Sequence, residues 1–223
     1  MTGPLPTGRL RNLARDPGRA DGEPRQEDHR CELCSEALSD AHRHLLQLPA
    51  RQLACACRAC ALLFDHRSVG TGRYRAVPEL RQRLAHAPVD DVVWAALGVP
   101  VRLAFFVRHD GGDPADPTDP ADTTADTVTA YYPSPLGVVG TAVERQAWER
   151  LTRGLPSAAR LEPEVTALLV HRDAGEQWLV GVDECYRLTA RVRGTWTGMT
   201  GGDEVWREID RFFTELRGDT VPA

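Results

Sequence analysis

The chain has 223 residues, 42% of them hydrophobic and 26% charged, with a formal net charge of −5. That suits a soluble protein of one mid-sized domain plus a small appendage. Its longest uncharged apolar run, Val92 to Val101, is ten residues and contains Gly98 and Pro100, well short of the roughly 20 that a membrane-spanning helix needs.

Residues 1–28 are rich in Gly, Pro, Arg and Asp without a sustained apolar period and are expected to form a disordered tail. The segment lacks the apolar stretch of a secretory signal, so the protein is expected in the cytoplasm, where thiols stay reduced. Six cysteines there point to metal or redox chemistry more than to disulfides. All 27 basic residues are Arg, which fits a GC-rich genome and by itself says little about function.

Residues 29–64 carry the clearest chemistry. CELC at 31–34 is followed, after 22 intervening residues, by CRAC at 57–60. Each C-x-x-C can fold as a knuckle that aims two sulfurs at one ion, and HRHLLQL and RQLAC between them read as two short strands joined at Pro49-Ala50. The spacing predicts a zinc-ribbon-like module in which Cys31, Cys34, Cys57 and Cys60 close a tetrahedron around zinc. A segment this short buries too little surface to be stable alone, so the metal would supply its folding energy. Iron is the alternative, as in rubredoxin, although that protein typically carries Gly after each second Cys, where this chain has Ser35 and Ala61. Cys55 reads as a buried strand residue, with an alternative metal ligand or a redox thiol as the other readings. His42 and His44 share one side of their strand and read as surface or hydrogen-bonding groups, because four sulfurs already complete the ion's shell.

Residues 65–88 are read as a connector ending in a short helix near Pro78 to Ala85, and Gly70-Thr71-Gly72 within it as a plain turn. An α+β domain is expected over 89–218. Its strands are VRLAFFVR (101–108), TVTAYYPSP (127–135) and a hairpin from EVTALLVHR and QWLVGV about the turn DAGE. Its helices are 143–153, a helix N-capped by Asp183 with Cys185, Leu188, Val192 and Trp196 on one stripe, and a final helix carrying Val205, Ile209, Phe212, Phe213 and Leu216. The segment 109–126, with Asp at every third position, reads as a flexible Asp/Pro loop rather than a calcium loop. Residues 219–223 form a tail. The fold class is therefore α+β, a small ribbon plus a mainly antiparallel sheet with helices packed on one face. The core stripes beyond Val89 suggest that this half folds without the ribbon.

No G-x-S-x-G, Walker A, H-E-x-x-H or G-x-G-x-x-G occurs, and no nucleophile–base pair is visible. No catalytic residue is assigned.

Two stretches, CELC…HRHLLQL…CACRACALLF and DECYRLTARVRGTWTGMTGGDEVWREIDRFF, resemble an uncharacterised actinobacterial family encoded beside high-affinity nickel–iron hydrogenases. The likeness spans roughly residues 28–217 and includes Cys31, Cys34, Cys55, Cys57, Cys60, the run Cys185-Tyr186-Arg187-Leu188, and Trp196, Gly198, Gly201, Gly202 and Trp206. It implies a setting, not a reaction. The expectation is a non-catalytic accessory or assembly factor that docks on hydrogenase subunits or a maturation protein. Alternatives are a rubredoxin-like electron carrier and a nucleic-acid-binding ribbon. The last is suggested by Arg43, Arg51, Arg58, Arg67, Arg73 and Arg75, but the segment 29–86 carries nine Arg against five acidic residues and becomes nearly neutral once four thiolates hold zinc.

Overall fold

The computed structural model describes residues 29–48, 50–65, 73–85, 88–110, 127–134, 137–198 and 201–218. The expected N-terminal tail, the Gly-Thr-Gly turn, all but the first two residues of the Asp/Pro loop and the C-terminal tail lie outside them.

The ribbon is built from β1 (Arg43–Gln47) and β2 (Gln52–Ala56), paired antiparallel with Leu45 opposite Ala54 and His44 opposite Cys55, and followed by helix α1 (Arg58–Phe64). Strand β3 (Tyr74–Ala76) adds to the free side of β1, so the small sheet runs β2-β1-β3. The expected connector thus supplies a strand to this sheet. Its far end supplies another to the large sheet. Where a short helix was expected, Arg81–Arg83 form β4, antiparallel to β9. Charged residues suit an edge strand, where they discourage pairing with a further chain.

Helix α2 (Asp91–Ala96), N-capped by the Asp90 carboxylate, leads into β5 (Leu103–His109), β6 (Thr127–Ser134) and β7 (Gly137–Ala142). Helix α3 (Arg145–Gly154) and a 3₁₀ turn at Pro156–Arg160 precede the hairpin of β8 (Thr166–His171) and β9 (Glu176–Gly181). Helices α4 (Val182–Thr195) and α5 (Gly202–Gly218) complete the chain. The large sheet has the order β4-β9-β8-β5-β6-β7, with every neighbouring pair antiparallel.

The α+β class and the antiparallel sheet match the sequence reading. The helices, expected on one face, cover both. Leu103, Phe105, Val107, Leu169, Trp178 and Val180 face α4 and α5. The alternate residues Ala104, Phe106, Leu168, Val170 and Leu179 face α2, α3 and the 3₁₀ turn. Successive strand residues point to opposite faces, so an unbroken apolar strand such as 103–107 needs cover on both.

The ribbon is seated on this domain. Leu46 and Val77 are buried in the same core as Trp178 and Phe213, and Leu48 and Leu53 pack against it. At the junction of β9 and α4 the chain passes so near that a Cβ on Gly181 would lie 2.5 Å from the Pro78 carbonyl oxygen. Only glycine allows that approach. Asp183 therefore falls in the first turn of α4 rather than capping it. Gly181 occupies the N-cap position, and Asp183 is directed toward the ribbon.

Candidate metal centre

Each cysteine pair is shaped by its own local backbone. In the first knuckle Ser35 N–H donates to the Cys31 carbonyl (2.8 Å) and Cys31 N–H to the Glu36 carbonyl (2.8 Å). Ser35 closes the turn at φ 64°, the left-handed conformation for which glycine would be the easy choice. The second knuckle is the entry to α1. Cys57 is its N-cap, its sulfur accepting from Cys60 N–H at 3.4 Å. A reciprocal pair of bonds, Cys55 N–H to Glu32 Oε1 (2.7 Å) and Glu32 N–H to the Cys55 carbonyl (2.9 Å), ties the first knuckle to β2.

One sulfur from each of Cys31, Cys34, Cys57 and Cys60 lies within 4.8 Å of the others. Sulfurs about 2.3 Å from a central ion sit about 3.8 Å apart at the corners of a tetrahedron, and the Cys34–Cys57 separation is 3.7 Å. All four are free thiols. The donor set suits a metal ion, and its four sulfurs leave no open position. Cys31 and Cys60 are buried with Leu45, Ala56 and Ala61, whereas Cys34 is exposed. The centre thus has a buried side and a side at the surface.

The electrostatics favour a cation. Burial raises the Cys31 thiol, but backbone N–H groups of Cys57, Leu33 and Cys34 outweigh it and lower the group to about 6. Burial and the three neighbouring sulfurs push Cys60 strongly up. One thiolate is stabilised at the expense of the next, and a bound cation removes that conflict by deprotonating all four.

The remaining cysteines separate. Cys185 is fully buried in the core beside α5. Cys55 points to the opposite face of the hairpin from the four-sulfur cluster, alongside His42 and His44, and one ligand atom of each of these three lies within 4.8 Å of the others. Sequence reasoning gave the histidines a shared side but did not join Cys55 to them, since that needs the register His44 opposite Cys55.

A second polar cluster lies between ribbon and sheet. Arg51, at the turn after Pro49, donates to Glu164 through Nε (2.8 Å) and Nη2 (2.9 Å). His109 Nδ1 donates to the same carboxylate (3.0 Å), its Nε2 is 3.1 Å from the Thr129 hydroxyl, and the Tyr186 hydroxyl donates to the Arg51 carbonyl (2.8 Å). Burial acts to raise the Glu164 carboxyl, yet the bonds from His109 and Arg51 hold it down to about 2. Arg51, His109, Glu164 and Tyr186 line a cavity of about 380 Å³ together with Leu46, Phe105, Tyr131 and Val182. The sequence held a faint signal for it, because His109 continues the inward alternation of Leu103, Phe105 and Val107.

Asp183 and Glu184, in the first turn of α4, are engaged in structural contacts. Asp183 accepts from His44 Nδ1 (2.9 Å), and Glu184 accepts from Arg81 and Arg187. Among the described residues no helix is long and apolar enough to cross a membrane.

Fold and site together define a four-cysteine ribbon seated on a two-sided antiparallel α+β domain. The chain belongs to a family of unknown function (DUF5947), whose model matches residues 30–220. No curated protein and no solved structure matches it.

Proposed function

We propose that the protein is a non-catalytic accessory factor whose ribbon, folded around structural zinc, docks on a protein partner, and that the partner is a nickel–iron hydrogenase subunit or maturation protein. The observation that carries the docking role is the outer face of α1. Beginning two residues past Cys60, Leu62, Leu63 and Phe64 are 65%, 66% and 44% exposed. Three adjoining apolar side chains at the surface beside a rigid metal knuckle make an anchor of the kind that protein interfaces bury. The resemblance noted above supplies the hydrogenase setting.

On the ribbon itself, Leu45 and Arg51 are poor candidates for the contact. Leu45 is fully buried and Arg51 is bound to Glu164, so the anchor moves to α1. The same ion pairs weigh against a nucleic-acid surface. Arg43 pairs with Glu79, Arg51 with Glu164 and Arg75 with Asp110, leaving less positive charge to meet phosphates.

Deleting the gene tests the proposal. Hydrogen uptake should fall under conditions that induce the hydrogenase, and its subunits should accumulate unassembled, while growth on rich medium continues. Leu63→Asp should reproduce the defect without unfolding the protein. Normal uptake in the deletion strain refutes the proposal. Mature hydrogenase that cannot pass electrons on would instead support the iron carrier.

A further inference from the structure

We propose that His42, His44 and Cys55 form a second metal site, distinct from the four-cysteine centre and open at one position, which takes a divalent late first-row transition-metal ion. It lies on the opposite face of the same hairpin, the side turned toward α4. One ligand atom from each of the three residues falls within 4.8 Å of the others.

The hydrogen bonds fix which ring nitrogens face the ion. His42 Nδ1 lies 2.9 Å from the Ser39 carbonyl, so it carries the proton and donates. Nε2 of His42 keeps its lone pair, and that atom is buried with no hydrogen-bond partner. A buried, unpaired ring nitrogen is costly unless something occupies the space before it. His44 Nδ1 donates to Asp183 Oδ2 at 2.9 Å, which leaves its Nε2 as the ligand atom. A histidine held from behind by a carboxylate is the usual way of orienting a metal-binding imidazole and raising its basicity. The two rings meet edge to face, centroids 4.9 Å apart, because both converge on one point with Cys55.

Charge and softness specify the ion. One thiolate and the Asp183 carboxylate balance a double positive charge, the imidazoles being neutral. Two nitrogens and a sulfur favour zinc, cobalt, nickel or copper over magnesium or calcium. Three protein ligands leave a fourth position for water or an exchangeable group, unlike the closed thiolate centre. Asp183 belongs to α4, so it is a positioning residue that makes the ribbon's second site depend on contact with the large domain.

The test uses the full-length protein carrying one equivalent of zinc, into which Co²⁺ is titrated. A second equivalent should bind with a thiolate-to-cobalt charge-transfer band. Cys55→Ser should abolish the band, His42→Ala and His44→Ala should weaken binding at least about tenfold, and Asp183→Asn should weaken it by about 10–100-fold, the usual cost of losing such a support. All four variants should keep the first metal equivalent, which monitors the ribbon's fold and is lost in the control Cys57→Ser. X-ray absorption at the cobalt edge of the unmutated protein reads the site without any variant and should show one sulfur beside imidazole nitrogens. Failure to bind a second equivalent, persistence of the band in Cys55→Ser, or a cobalt shell of four sulfurs or none overturns the proposal.

Discussion

Arg51 in the ribbon turn and Glu164 ahead of β8 are joined by two hydrogen bonds of 2.8 and 2.9 Å across 113 positions of sequence, and both residues adopt positive φ, 49° and 66°. Neither is glycine, so each conformation carries a cost that the pairing offsets. Glu164 is nearly inaccessible. Arg51→Ala should therefore destabilise the protein by about 3 kcal/mol, the low end for breaking a buried pair, since His109 still reaches the carboxylate. Urea unfolding measures it. A loss below about 1 kcal/mol would show that the pair is solvated and of little weight.

The same carboxylate gives a pH signature. Its folded value, about 2, lies below its ordinary 4.5. A depressed carboxylate contributes stability that is complete above the unfolded value and is lost as pH falls through the folded one. The unfolding midpoint of the wild type should drop between about pH 4.5 and 2 relative to that of Glu164→Gln. Parallel curves for the two proteins over that window would contradict the assignment.

The four-cysteine centre should hold about one tightly bound zinc per chain, the stoichiometry of a closed tetrahedral thiolate site, as metal analysis after removal of loosely held ions would read. Cys34→Ser and Cys57→Ser should release it and unfold the ribbon, whereas Cys55→Ser should keep it. Colourless protein accords with zinc, and a red preparation would mean iron. A full equivalent of metal retained by Cys57→Ser removes that residue from the ligand set.

Chelation should reach beyond the ribbon. Leu46 and Val77 belong to the large core, with Leu48 and Leu53 packed on it, so unfolding the hairpin exposes the sheet face that they cover. Leu46→Ala should cost about 2–5 kcal/mol, the range for large-to-small changes in a core. A fragment starting near Pro78 should be much less stable than the whole chain. Equal melting temperatures for fragment and full-length protein would restore the idea of two independent halves.

How much of this could be read in advance depended on the distance over which each feature is determined. The paired C-x-x-C spacing is local chemistry, and the four sulfurs converge as it implies. Strands 103–109, 127–134 and the hairpin 166–181 announced themselves by apolar β-rich runs. Strand β7 did not, because Gly137 and Gly140 are poor strand residues and its partner β6 holds it in place. β4 is Arg-Gln-Arg, polar as an edge strand can be. The two-sided cover was legible in principle from Leu103-Ala104-Phe105-Phe106-Val107, a run with no polar alternation. By contrast, Glu164 with Arg51 and His42 with Cys55 are products of register and docking, which no local pattern encodes.

The order in which the chain leaves the ribosome gives the hairpin a history. All four sulfurs of the ribbon, and His42, His44 and Cys55, lie within residues 31–60. The groups that hold the hairpin against the large sheet come much later, Glu164 after 113 positions and Asp183 after 139. At about 5–20 residues per second that interval is on the order of ten seconds. The nascent ribbon is thus complete in sequence well before the residues that seat it have been made. A metal ion taken up during that interval would be bound before seating begins, which makes capture and docking two events separable in time.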